Sequence, residues 1–200
     1  MRKVLLLPVL VMMLLGGSCI VRSSLIYFDS DTEGVPNLVI NPSFSAYSLS
    51  PKEALKGWTV HTDPLSGEGV SIAIDTNQAL QGETSLRVDA SDKAVMIMSD
   101  AFRVRRYGGY YIRVSACSSQ PAGPQLSIRF ITFGDTGKIR NTFKTKLKTE
   151  ADWTKATISA GFLKPGSNFG RVAIMIPPFS EGSVWIDDAG CWEVHSFRID

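Results

Sequence analysis

The chain has 200 residues, 44% of them hydrophobic and 20% charged, with a formal net charge of +2. That length suits one domain of ordinary size with extra segments, enough to bury a real core. The near-balanced charge and the lack of any basic run exclude a nucleic-acid partner.

The first residues read as an export signal. "MRK" is a short positive region, and "VLLLPVLVMMLL" is an apolar stretch too short to span a bilayer comfortably. "GGSC" then puts small residues before Cys19. The segment resembles a bacterial lipoprotein signal, which implies that Cys19 becomes the lipidated first residue of the mature chain. Gly16 departs from that pattern, which usually has leucine there. Gly16-Gly17-Ser18 also fits ordinary signal-peptidase cleavage, and both readings imply export. The expected organisation is a signal peptide over residues 1–18, a tether or N-terminal strap over 19–36, and a folded unit over 37–200. Lipidation would hold the unit in the cell envelope, with the anchor as its only membrane contact. Of the remaining cysteines, Cys117 and Cys191 form an even pair in an oxidising compartment. They read equally as one disulfide or as two separate buried residues.

Within the strap, "LIYF" (25–28) reads as a candidate edge strand and "DSDTEG" as a polar turn. "PKEAL" (51–55) suits a single helical turn. Beyond it, short apolar or alternating runs recur: "VSIAID", "SLRVDA", "AVMIMS", "YYIRVSAC", "LSIRFITF", "TKATIS", "RVAIMI" and "SVWIDDA". Turn-forming stretches such as "RYGG", "QPAGP" and "LKPGSN" separate them. Many short strands without helical periodicity predict an all-β fold, a β-sandwich. Alternation assigns faces: Tyr110, Ile112, Val114 and Ala116 to the core, and Tyr111, Arg113, Ser115 and Cys117 to the other side. Leu126, Ile128 and Phe130 oppose Ser127, Arg129 and Ile131 in the same way.

The ordered set "NLVINPSF", "GW", "ALQGETSLRVDA", "YYIRVSA", "ADWTKATISAGFLKPGS", "RVAIMI" and "VWIDDAG" resembles the carbohydrate-binding modules of the CenC-like group. The resemblance runs from residue 37 to about 194. It implies a jelly-roll β-sandwich of the galactose-binding-like class, with Phe44 and Trp58 fastening an extended entry strand. It also implies a structural calcium ion between the entry segment and the last strand, with Asp188 at the metal-binding position. Ser45 stands where that group has an acidic ligand, which weakens the site. Alternatively, Asp188 caps local backbone amides.

Sugar binding needs flat aromatic faces beside groups that hydrogen-bond hydroxyls. Tyr111, Arg113, Gln125, Arg129 and Trp185 are the candidate ligand-binding residues, on a concave sheet face or at loop tips. His61 and His195 are the only histidines, and no nucleophile elbow, zinc-protease motif or phosphate loop is present. Asp187 and Asp188 are adjacent in a strand and are expected to point to opposite faces, which prevents them from flanking one glycosidic bond. Asp75, Asp89 and Asp135 are further carboxylates that could meet in space. The expectation is non-catalytic carbohydrate binding at the bacterial cell surface, with no required cofactor. A structural or protein-binding sandwich that has lost sugar binding is the alternative, and a small surface glycoside hydrolase the third reading.

Overall fold

Alternating apolar side chains turn most of this chain into strands with one greasy face. The computed structural model describes residues 25–45, 55–62 and 69–197. The signal segment, Cys19 and nearly all of "PKEAL" lie outside the described residues. Eleven strands follow in chain order: β1 (Trp58–Thr62), β2 (Ile72–Asp75), β3 (Ser85–Ser91), β4 (Val95–Ser99), β5 (Phe102–Arg103), β6 (Gly108–Ser118), β7 (Gln125–Phe133), β8 (Ile139–Lys148), β9 (Thr154–Ala160), β10 (Phe169–Ile176) and β11 (Phe179–Ser196).

They form two antiparallel sheets. The six-stranded sheet runs β1-β4-β10-β7-β8, with β5 beside β10, and the five-stranded sheet runs β2-β3-β11-β6-β9. All register pairs are antiparallel, as hairpins and Greek-key returns require. Between the sheets lie Leu86, Ile112, Val114 and Ile186 from one side, and Ile97, Ile128, Phe130 and Ile174 from the other, all fully buried. The fold is an all-β jelly-roll sandwich, as the strand pattern predicts.

Tyr110 sits in this core. Its hydroxyl accepts the Arg105 amide at 2.6 Å, and burial pushes its pKa up to about 12.

Two features differ from the sequence reading. Strand β8, "IRNTFKTKLK", is absent from the predicted set because Asn141 and Thr145 fill inward positions where that reading looks for aliphatic residues. Its core side carries Phe143 and Leu147, which pair with Phe130 and Leu126. The entry segment "NLVINPSF" is also not an extended strand. It makes one bridge, Asn37 to Trp192, and then turns, with Asn41 at φ 56° and Phe44 at φ 52°.

The asparagine chemistry explains that path. Asn37 Oδ1 accepts the Val39 amide two residues on, and also the Cys191 amide of β11. Phe44 is fully buried with its ring 5.0 Å from that of Trp58, whose indole N–H donates to the Asn41 carbonyl. Gly57 supplies φ 85°, and a Cβ there would lie 2.9 Å from the Ile40 carbonyl oxygen. The segment is a clasp built from turns.

Cys117 and Cys191 are both buried and free. Cys191 pairs in register with core-facing Ile112, whereas Cys117 pairs with Trp185 on the outer side. They point to opposite faces five residues apart along the sheet, which rules out a bridge between them.

Candidate functional site

The outer faces of the two sheets differ in chemistry. On the five-stranded sheet, residues 25–35 lie across β6 and β9. Residues 25–28 form no strand, but the Tyr27 amide donates to Ser159 Oγ. A single 3-10 turn, Asp29–Thr32, then aims the Asp29 carboxylate at the sheet. That carboxylate accepts from Tyr111 Oη at 2.9 Å, Arg113 Nη1 at 2.8 Å and Lys155 Nζ. These partners, Lys155 foremost and then Arg113, hold Asp29 well below the usual carboxylate range against the opposing effect of burial. Tyr111 is only 2% exposed and its pKa is pushed up to about 12, mainly by burial. Arg113 also lies over the Trp192 ring at 4.9 Å. Two candidate sugar ligands, Tyr111 and Arg113, are therefore engaged under the strap.

Beneath Arg113 the alternation rule breaks. Asp187 pairs with Ser115, the register then shifts before Gly190, and Asp188 takes φ 49°. This bulge turns both carboxylates toward the outer side, contrary to the expectation of opposite faces. Asp188 forms a two-pronged pair with Arg113: Nε to Oδ2 at 2.6 Å and Nη2 to Oδ1 at 2.8 Å. Asp187, fully buried, accepts the amides of Leu80, Gln81 and Asp188.

These donors do not fit calcium. The ion needs about six to eight oxygens, but the Asp188 carboxylate is filled by a guanidinium. The nearby carbonyls each already accept one hydrogen bond: Asn41 from the Trp58 indole, Pro42 from the Ala189 amide, and Ser43 from the Thr84 hydroxyl. Arg113 supplies the positive charge at this junction. Thermal unfolding is therefore expected to give the same Tm with added calcium and with a chelator. A calcium-dependent rise of several degrees would overturn that assignment.

Farther along this face, Arg87 bridges Asp89 at 3.0 Å and Asp75 at 3.6 Å. Asp135 lies elsewhere, accepting from Asn168 beyond β7. The Trp185 indole N–H donates to Asp75, which is the largest influence holding Asp75 below its ordinary pKa. Burial would raise Asp89, but the Ser71 and Ser183 hydroxyls and Arg87 outweigh it. Both carboxylates stay ionised, the reverse of what a general acid requires. Trp185, half-buried, lies among these ion pairs.

Among the described residues, no segment crosses the outer face of the six-stranded sheet. Register pairs place Thr59, Met98, Ala173, Arg129 and Lys144 in one row across β1, β4, β10, β7 and β8. The next row reads His61, Met96, Met175, Ser127 and Lys146. On the other side of the Arg129 row lie Arg171 and Ile131, then Arg103, Phe169 and Phe133. Phe133 and Phe169 stack at 5.8 Å, with Arg171 over the first ring and Arg103 over the second. Among the described residues Arg129 makes only long hydrogen bonds, to Ser127 Oγ at 3.5 Å and Met175 Sδ at 3.8 Å. Gln125 is exposed at the end of β7, where its neighbour on β8 is Lys148. It also borders a shallow groove of about 650 Å³ between residues 120–125 and 177–181.

The five candidate residues therefore do not converge. Tyr111, Arg113 and Trp185 lie on one outer face, and Gln125 and Arg129 on the other. Arg171 and the methionines are not among the five candidates, although alternation within "RVAIMI" sets Arg171 and Met175 against Val172, Ile174 and Ile176.

No family model matches the chain, and no curated protein matches it in sequence. Solved structures do share its fold. A domain of the bacteriophage CBA120 tailspike protein 4 superposes with a TM-score of 0.62 at 11% identity, over 78% of this chain and 21% of that one. The module TmCBM61, solved with β-1,4-galactotriose, gives 0.56 at 16% identity over 79% of this chain and 99% of its own. A family 16 carbohydrate-binding module gives 0.56 at 14% identity, over 78% and 100%. The chain thus has the β-sandwich fold that carbohydrate-binding modules use. It spans whole modules of that kind, but only about a fifth of the tailspike chain.

Proposed function

We propose that the protein binds a carbohydrate chain without chemistry, on the outer face of the six-stranded sheet. The observation that carries this reading is that face itself. Its guanidinium groups on β5, β7 and β10 have no carboxylate partner among the described residues, and those on β5 and β10 lie over stacked phenylalanines. Aromatic and thioether surface takes the apolar side of a pyranose ring, while arginine donates to its oxygens. The sandwich folds of the solved carbohydrate-binding modules are consistent with this use. Kinship with the CenC-like group remains part of the proposal, as does placement at the bacterial cell surface through lipidated Cys19.

A glycan array probed with the soluble domain tests the reading. Binding to a defined set of polysaccharides is expected, and it should fall at least tenfold in an Arg129→Ala, Phe133→Ala double variant, the loss of roughly 1.4 kcal/mol or more. If nothing on the array is retained, the protein-binding alternative takes over. Met96, Met98 and Met175 favour that reading, because adjacent methionines suit adaptable protein contacts.

A further inference from the structure

The two sheets divide the charge between them. The strands of the five-stranded sheet carry six carboxylates (Asp75, Asp89, Glu181, Asp187, Asp188 and Glu193) against three cations. Those of the six-stranded sheet carry no carboxylate at all. They bear seven arginines and lysines: one each on β5, β7 and β10, and four on β8. The overall charge of +2 conceals this division. Both arginines on the five-stranded sheet, Arg87 and Arg113, are paired to carboxylates. No arginine on the six-stranded sheet is paired in this way among the described residues.

The lysines of β8 have an ordinary explanation, since β8 is an edge strand and lysine discourages edge-to-edge pairing. That explanation does not reach β7 and β10, which lie inside the sheet. Arg129 stands directly opposite Lys144 across the β7–β8 ladder. Like charges so placed destabilise a sheet, and no acid pairs with either among the described residues. Arg171 is the diagonal neighbour of Arg129 on β10, and Arg103 the diagonal neighbour of Arg171 on β5. Lys144, Arg129, Arg171 and Arg103 thus step obliquely across four strands, about 5 to 8 Å at a time. Phe133, Phe169 and Ile131 provide apolar surface alongside. A neutral glycan would leave this repulsion uncompensated; a chain with regularly spaced anions would relieve it.

Resting on the proposed sugar-binding function, we propose that the ligand is an acidic polysaccharide, with its carboxylates or sulfates on the oblique cation row. Guanidinium groups match planar carboxylates and sulfates with paired hydrogen bonds. The apolar strip beside them takes the sugar rings. The interaction weakens with salt, because Lys144 and Arg103 are exposed and Arg129 and Arg171 are only half-buried.

The test uses the soluble domain in affinity electrophoresis and calorimetry. The probes are polygalacturonate, its fully methyl-esterified form, dextran sulfate and vesicles of phosphatidylcholine with phosphatidylglycerol. Polygalacturonate or dextran sulfate is expected to bind at least tenfold more tightly than the methyl ester, and comparing those two tells carboxylate from sulfate. Arg129→Gln and Arg171→Gln should each weaken that binding about tenfold, while Lys155→Ala on the other sheet leaves it unchanged. Arg129→Gln should not lower the urea midpoint, since it relieves the repulsion with Lys144. Equal binding of the methyl ester would overturn the acidic ligand and leave sugar binding standing. Binding to the vesicles alone, with no glycan retained, would overturn both in favour of a membrane surface.

Discussion

Replacing Arg113 with alanine is expected to cost about 3 kcal/mol of stability, read as a lower urea midpoint with an unchanged slope. Its guanidinium is 15% exposed and joins two carboxylates, Asp188 at 2.6 Å and Asp29 at 2.8 Å. Asp188 is 9% exposed, and without Arg113 it becomes a buried charge with its main partner gone, a loss of about 3 to 5 kcal/mol in comparable pairs. We take the lower end because Asp29 is 40% exposed and water compensates it in part. Arg113→Lys should recover less than half of the loss, since an ammonium cannot offer two forks at once.

The pH dependence of this loss has a definite sign. Asp29 is held below its ordinary pKa in the folded state, so its contribution is present above the unfolded value of about 4. It fades as pH falls from there toward the folded value. The Arg113→Ala penalty should therefore be largest near neutrality and shrink in acid. A penalty that is flat with pH, or that grows in acid, would mean that the Asp29 clasp does not form in solution.

Much of the sandwich is legible in the sequence because its core strands alternate strictly. In "YYIRVSAC" Tyr110, Ile112, Val114 and Ala116, and in "LSIRFITF" Leu126, Ile128 and Phe130, alternate strictly and fill the space between the sheets. Strand β8 escapes because Asn141 and Thr145 occupy inward positions, and the period-2 signal fades into a lysine-rich run. The bulge at Asp187–Asp188 escapes for a different reason. Nothing in "WIDDAG" marks a left-handed aspartate, and one such residue changes which face the next carboxylate reaches. The same limit applies to the site. Alternation shows that Tyr111 and Arg113 leave the core, but it does not show that residues 25–35 cover them. Nor does it distinguish the two outer faces, because that needs the strand order. Once β5, β10, β7 and β8 are neighbours, Arg103, Arg171, Arg129 and Lys144 become one row.

Asp187 should carry the other large effect, with the opposite dependence on pH. Asp187→Ala removes the acceptor for three backbone amides, those of Leu80, Gln81 and Asp188. Leaving buried donors unpaired costs about 1 to 3 kcal/mol each. Leu80 and Gln81 are exposed, so water can replace part of what is lost there. A total of about 3 kcal/mol is expected. Asp187→Asn should fall between alanine and the wild type, because one carbonyl oxygen can still accept some of these amides. Burial raises the Asp187 pKa in the folded state despite the three amides, with Asp188 adding to the rise. Its proton-linked contribution is therefore complete below the unfolded value of about 4, and it is lost as pH rises through the folded one. The Asp187→Ala penalty should accordingly be greatest in acid and diminish toward neutrality, where the Arg113→Ala penalty is greatest. Chemical denaturation of both variants across the acid range would reveal the crossing. If the two curves run parallel, folding does not raise Asp187 while Arg113 and Lys155 lower Asp29.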